Sequence, residues 1–467
     1  MIRKLFSNIV FKNFSFLTIG SVLSQLISVF TILKITSVVS PGDYGLYTFL
    51  ISQGLLLVKV GNLGNTNIVI RSVARNGDLA KDYLSNTSLL RLLAIIALTG
   101  FYLVYNSFFG TLNATQVGLI FLFSLFNCFS YLFEWIFTGN QRIFPISVIG
   151  LIYSVLWFAI VFFVPLEKIS ATTLFALYVT ANFVKCAILY FTLLTNNLIK
   201  GSIKRFKESV STLMRESWPY LAMILVMLPL TNLTHNFLDL NSTNEEIGYF
   251  NLAQRFIGPV GLVISMLLTA LFPNLAVMWE KNPDKFRFNV AKGFRLYMLV
   301  SAFGCFAFTI FSEDLIKAIF KEEYYSAILV CQIQVWYVFL TSVDSFIGTI
   351  LGATNKEKLI LRFGIVYFFL CTPSLFLGSH YGAQGLSWSY IISFGAGLIY
   401  AWVIFQRKLQ LKVEKELETI ALVLAFGLFA YLSAAYFNLW QKVLLFVTVL
   451  GMFTFYTTRI FKKLKTT

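Results

Sequence analysis

Apolar residues run along this chain in long unbroken blocks, each near twenty residues, separated by short polar stretches. A block of that length crosses the ~30 Å hydrocarbon core of a bilayer as an α-helix rising about 1.5 Å per residue. About fourteen such segments are predicted, at roughly 14–36, 44–64, 87–106, 116–138, 143–164, 172–195, 217–240, 249–275, 293–312, 326–352, 359–378, 384–405, 417–437 and 441–460. None alternates apolar with polar positions as the strands of a membrane barrel do. The pattern predicts an all-α polytopic membrane protein of about fourteen transmembrane helices, with loops too short to hold a soluble domain.

Composition excludes the soluble alternative. Of 467 residues, 58% are hydrophobic and 12% charged, against about 45–50% and 25% in soluble domains. Too few polar side chains exist to cover a water-exposed surface of this size. The N-terminal Met-Ile-Arg-Lys before an apolar run resembles a signal peptide only superficially: the run is too long and lacks a small-residue cleavage site. A retained first helix is expected.

Basic residues fix an orientation, because Lys and Arg are held on the cytoplasmic side. With the N-terminus inside, 28 of the 37 fall in cytoplasmic loops and tails. Only Lys168, Lys317, Lys321 and Lys442 fall outside. Both termini are therefore expected in the cytoplasm. The net charge of +16 reads as a topology signal and as contact with anionic membrane lipid, so no nucleic-acid partner is expected. Cys128, Cys186, Cys305, Cys331 and Cys371 all lie in predicted spans without ligand spacing, as packed thiols do.

Five bases remain inside the spans: Lys34, Lys59, Arg91, Lys185 and Arg255. A charge at mid-bilayer costs at least about 2.5–3.5 kcal/mol on insertion scales, so each needs a partner, a cavity or a route to the headgroups. Lys185 sits near the middle of segment six with Asn182 one turn earlier. Lys59 lies about fifteen residues into segment two, too deep to snorkel. Both are expected to line a lumen. Arg255 and Lys34, near external ends, read equally as lumen residues or as side chains reaching the headgroups, and Arg91 reads as a lumen residue or an interfacial anchor.

Thr18, Ser21, Gln25 and Ser28 recur at helical spacing along segment one, a polar stripe expected to line a cavity or to pack against another helix. The intramembrane acids Glu134, Asp239 and Asp344, with Asp43 at an edge, are candidates for ion pairs or proton coupling. His235 precedes Asp239 by one turn and is no metal ligand by spacing. His380 is expected in a loop. No cofactor, metal or catalytic residue is expected, and no GxSxG, HExxH or P-loop pattern is placed for chemistry.

The chain also repeats itself. Pro41-Gly42-Asp43-Tyr44-Gly45-Leu46-Tyr47 matches Asn244-Glu245-Glu246-Ile247-Gly248-Tyr249-Phe250, with Gly45 and Gly248 203 residues apart. Gly139-Asn140-Gln141-Arg142 is echoed more weakly by Gly352 to Lys356. Each long copy leads into the second helix of a six-helix set, with an acidic or amide residue expected to cap it. Two tandem six-helix sets of parallel topology are a transporter architecture with a site between them. The expected division is an N-lobe at 1–205, a C-lobe at 206–408 and a helix pair at 409–467, with 197–216 an amphipathic connection on the inner leaflet.

Pro41 to Tyr47, Asn62-Leu63-Gly64 with Arg71 and Ala74, Glu134-Trp135-Ile136-Phe137 before Gly139, Glu246 to Gln254, and Lys321-Glu322-Glu323-Tyr324 together resemble the Wzx-type polysaccharide flippases. Their superfamily also contains multidrug extruders and lipid II flippases. The resemblance implies a bacterial cytoplasmic-membrane protein that moves undecaprenyl-diphosphate-linked oligosaccharide, an O-antigen or capsule repeat unit, to the outer leaflet by alternating access. Other polysaccharide-assembly proteins are implied as further partners. The five bases would suit the diphosphate. The rival readings are a lipid II-type or multidrug exporter of the same superfamily, and a membrane-embedded polymerase. The excess of intramembrane bases opposes the multidrug reading, and the short external loops oppose the polymerase.

Overall fold

The helices form where the apolar blocks predict them. The computed structural model describes residues 9–75, 79–196, 198, 206–354, 356, 358–411 and 416–465. In chain order the helices are α1 (Ile9–Thr36), α2 (Pro41–Gly61), α3 (Thr66–Arg75), α4 (Leu79–Phe109), α5 (Ala114–Gly139), α6 (Ile143–Phe163), α7 (Ala171–Thr195), α8 (Phe206–Thr231) and α9 (Leu233–Asn241). There follow α10 (Asn244–Lys281), α11 (Pro283–Ile319), α12 (Ala327–Ala353), α13 (Lys358–Ser379), α14 (Gly382–Leu409), α15 (Glu416–Tyr436) and α16 (Leu439–Lys465). Every predicted segment except 217–240, which is divided between α8 and α9, falls on a single helix, and among the described residues 11 helical stretches, against the fourteen expected, are long and apolar enough to cross a membrane. Large apolar side chains such as Phe101, Phe163, Ile399 and Leu424 face outward, as a lipid solvent permits.

The chain divides into two compact units, Met1–Asn236 and Phe237–Thr467. In the first, α1 packs on α6, and α5 contacts α2, α3, α4 and α7. Its core gathers Val69, Val73, Leu132, Ile136, Phe137 and Leu189. In the second, α12 packs against α10, α11 and α14, and α13 against α14. The C-terminal pair α15–α16 lies on α11, where Phe306, Ile310 and Ala430 form a buried cluster. Lys442, expected in an external loop, lies instead on α16, 3% exposed, with its Nζ 2.6 Å from Asp314 on α11.

Two local features depart from the apolar pattern. Segment 217–240 is interrupted at Asn232, three residues after Pro229, which cannot donate to the helical ladder. Between α2 and α4 lies α3, too short for a span. It buries Ile68, Val69 and Val73 and exposes Asn67 and Arg71. The connection expected at 197–216 falls largely outside the described residues.

The long repeat survives as geometry: α2 begins at Pro41 and α10 at Asn244, the first residue of each copy. The capping expectation needs correction. Ser40, not the acid, accepts from the Asp43 amide at 3.2 Å, and the Ser40 hydroxyl donates to Asp43 at 2.9 Å. In the second copy Glu246 holds a different helix: its carboxylate accepts from the Ala383 amide at 2.6 Å, at the start of α14. All five cysteines are free, and four are buried.

Candidate substrate site

The first unit holds four of the five predicted bases, and three of them, Lys59, Arg91 and Lys185, show three different environments. Lys185, ten residues before the end of α7, lies about 15 Å along the helix from that end. Its Nζ is 2.9 Å from Glu134 Oε1 on α5, with the two side chains 18% and 19% exposed. The ammonium also sits 5.6 Å from the Tyr153 ring centroid. Asn182, one turn before it, donates to the Tyr153 hydroxyl at 3.1 Å and to the Tyr178 carbonyl at 2.8 Å. Tyr178 packs against Tyr47, Phe123 and Trp157. An intramembrane ion pair thus borders an aromatic cluster built by α2, α5, α6 and α7.

Arg91 is not the interfacial anchor or lumen contact its position suggests. It is 0% exposed. Its guanidinium donates to the Cys128 carbonyl and to Asn65 Oδ1, both at 2.9 Å, and stacks 4.3 Å from the Trp135 ring centroid. No carboxylate is among these partners. The charge is solvated by a carbonyl, an amide and an aromatic face, which ties α4 to α5 and to the turn that carries Asn65. Adjacent residues of the Glu134-Trp135 pattern therefore each hold a different base.

Asn65 is presented by a tight turn. Leu63 and Gly64 have φ of 52° and 67°, in the left-handed region. A Cβ on Gly64 would lie 2.5 Å from the Leu221 amide nitrogen of α8. Glycine is required here twice, by conformation and by close approach. Arg71 on α3 ties the same region to α8 through Glu216 at 2.8 Å, and a Cβ on Gly139 would meet Val73 of α3 at 2.7 Å.

That turn also corrects the depth of Lys59. Segment two was expected to continue to about residue 64, but α2 ends at Gly61, so Lys59 lies in its last turn. A cation there is favoured by the helix dipole. Lys59 is exposed and opens onto a cavity of about 260 Å³ shared with Asn62, Thr66, Ile224, Met227 and Thr231. Among the described residues no carboxylate pairs with it. A cation without an anion, beside one amide and two hydroxyls, can take the oxygens of a phosphate group.

The other predicted residues lie elsewhere. Ser21 and Gln25 are exposed and Ser28 partly so along α1, on a helix whose Gly20 approaches Ser147 of α6; the Thr18 side chain is outside the described set. Lys34 lies 5.9 Å from the Phe162 ring centroid. Arg255, exposed on α10, and Asp239 and Asp344 belong to the second unit. Asp344 finds a phenol instead of a base, accepting from the Tyr367 hydroxyl at 2.7 Å. The sequence reading missed the reciprocal amide pair between Gln53 of α2 and Asn236 of α9, at 3.1 and 3.0 Å, since neither residue carries a charge to mark it.

A family model described as polysaccharide biosynthesis protein matches residues 10–279, more than half of the chain and all but the first nine residues of the base-bearing first unit. The chain belongs to the polysaccharide biosynthesis protein family. No match was found among curated proteins. Of solved structures, a lipid II flippase MurJ in an inward closed conformation aligns with a TM-score of 0.74 and 14% identity, covering 95% of this chain and 98% of that one. An inward-facing multidrug resistance transporter of the MATE family and MOP superfamily aligns at 0.66 and 13%, covering 83% and 94%. A MOP superfamily transporter from Pyrococcus furiosus aligns at 0.58 and 13%, covering 85% and 96%. At these identities the likeness establishes the fold, the one these three structures share.

Proposed function

We propose that this family member carries undecaprenyl-diphosphate-linked oligosaccharide units from the cytoplasmic to the outer leaflet of a bacterial inner membrane, supplying surface polysaccharides such as O-antigen or capsule. The observation that carries the reading is the uncompensated Lys59 in its cavity at the end of α2. The bias of basic residues puts that end, and both termini, on the cytoplasmic side, where a lipid-linked precursor would be met.

Lys59 is the capturing cation, with Asn62 and Thr66 supplying neutral hydrogen bonds. Lys185 acts later and deeper. Its charge is already matched by Glu134, so it reaches a phosphate only by exchanging one anion for the other. Lys34 and Arg255 are secondary contacts, Ser21, Gln25 and Ser28 serve the glycan, and the buried Asn182 positions the Tyr153 hydroxyl beside Lys185. The predicted lobes at 1–205 and 206–408 alternate access to these residues while the prenyl tail stays in lipid. Glu134, Asp239 and Asp344 are the acids available for coupling. Lipid II-type and multidrug exporters share the fold; the family match favours the polysaccharide reading. A carrier function needs no catalytic residue.

Deleting the gene tests this. Complete single units should accumulate on the cytoplasmic leaflet while surface polysaccharide disappears, with rescue by the intact gene and weak rescue by Lys59→Ala. Units that reach the outer leaflet and stay unpolymerised would return the polymerase reading.

A further inference from the structure

The second unit contains a cavity that the reading above does not use. The end of α11, the start of α12, the start of α14 and the end of α15 border an open cleft of about 520 Å³, within the ~300–1,000 Å³ of small-molecule sites. Its polar walls are Glu313, Lys317, Tyr325, Gln332, Gln384 and Tyr431.

The chemistry of these walls selects a ligand class. Lys317 Nζ lies 2.6 Å from Glu313 Oε1, so the pair is neutral overall while each member keeps free hydrogen-bonding capacity. An anion would be opposed by Glu313 and an amine by Lys317. Gln332 is 8% exposed, and among the described residues no group of the protein hydrogen-bonds its amide, which opens into the cavity. Leaving such an amide unpaired costs about 1–3 kcal/mol, so an apolar ligand is disfavoured. Tyr325, its ring 5.9 Å from Lys317 Nζ, and the half-exposed Tyr431 (50%) add aromatic surface. A neutral ligand with adjacent hydroxyls on one side and a C–H face on the other satisfies all of these groups together.

We propose that this cavity is a binding site for a neutral saccharide of one or two rings. Gln332 and Gln384 pair with vicinal hydroxyls, the Glu313–Lys317 pair with a further hydroxyl, and Tyr431 with the C–H face. The basic-residue bias puts it at the external end of the second unit, apart from Lys59. Its chemistry does not depend on the transport reading; where that reading holds, the site is an outer-face contact for the emerging glycan.

The full chain in lipid nanodiscs is titrated with maltose, lactose and N,N′-diacetylchitobiose, with saturation-transfer NMR and calorimetry as readouts. At least one should bind with a Kd of about 10 mM or tighter. Gln332→Leu and Tyr431→Ala should each weaken that binding at least five-fold while melting within a few degrees of the parent. Three results overturn the proposal: no binding of any of the three, binding unchanged in both variants, or inorganic phosphate binding in their place with the same dependence on Gln332. Because none of these sugars carries a lipid or a diphosphate, a failure here leaves the transport assays unaffected, and a failed transport assay leaves this site standing.

Discussion

Arg91, Lys185 and Lys59 show how three bases on apolar helices reach three different outcomes. Arg91 is fully buried against a carbonyl, an amide and an indole, and only a planar fork satisfies all three at once. Arg91→Lys keeps the charge and loses the fork and stacking, so thermal unfolding in detergent should shift down by several degrees. Lys185 is matched by Glu134. Lys185→Ala leaves that carboxylate uncompensated inside the membrane, which costs about 3–5 kcal/mol in a fully buried pair; with some exposure the lower end applies. The double change Lys185→Met with Glu134→Gln should recover most of that stability, and transport by the double variant then reads the role of the lysine itself. Without such recovery, the pair is not the source of the loss. Among the described residues Lys59 has neither kind of partner, which leaves its charge available to a ligand.

Elements were legible where their signal is long. Runs of twenty apolar residues specify helices without reference to a partner, so every predicted span but the one broken at Asn232 lies on a single helix. Short elements and ends carry no comparable signal. Ten-residue α3 reads as a loop until α5 is seen against it, and the end of α2 was misplaced because the positive φ at Leu63 depends on the approach of α8 to Gly64. That three-residue difference makes Lys59 look too deep to snorkel when it lies in the last turn of α2. Gly64→Ala should therefore be strongly destabilising, by a backbone strain of about 1–3 kcal/mol plus the clash with α8, checked by melting temperature and membrane abundance; an unchanged variant would refute the close approach. Pairings across helices were likewise illegible, because Glu134 and Lys185, or Gln53 and Asn236, meet only after packing. Gln53→Leu alone should cost about 1–3 kcal/mol by orphaning the Asn236 amide, and adding Asn236→Leu should return part of it.

At the scale of the molecule, the tandem repeat, the basic-residue bias and the family match point to one transport reading, while the structure redistributes the cations within it. One base is buried among neutral partners, one is in an ion pair and one faces a cavity, where the sequence suggests a uniform set of cations. The central claim is that the cavity-facing Lys59 captures the diphosphate of a lipid-linked oligosaccharide for translocation. Its most direct test is flipping of a fluorescent undecaprenyl-diphosphate-linked oligosaccharide in proteoliposomes containing the intact protein or Lys59→Ala, matched for folded protein. Flipping should depend on the protein, fall at least ten-fold in Lys59→Ala and survive in Lys59→Arg. Equal flipping by all three proteins, or none by the intact protein, would contradict the claim.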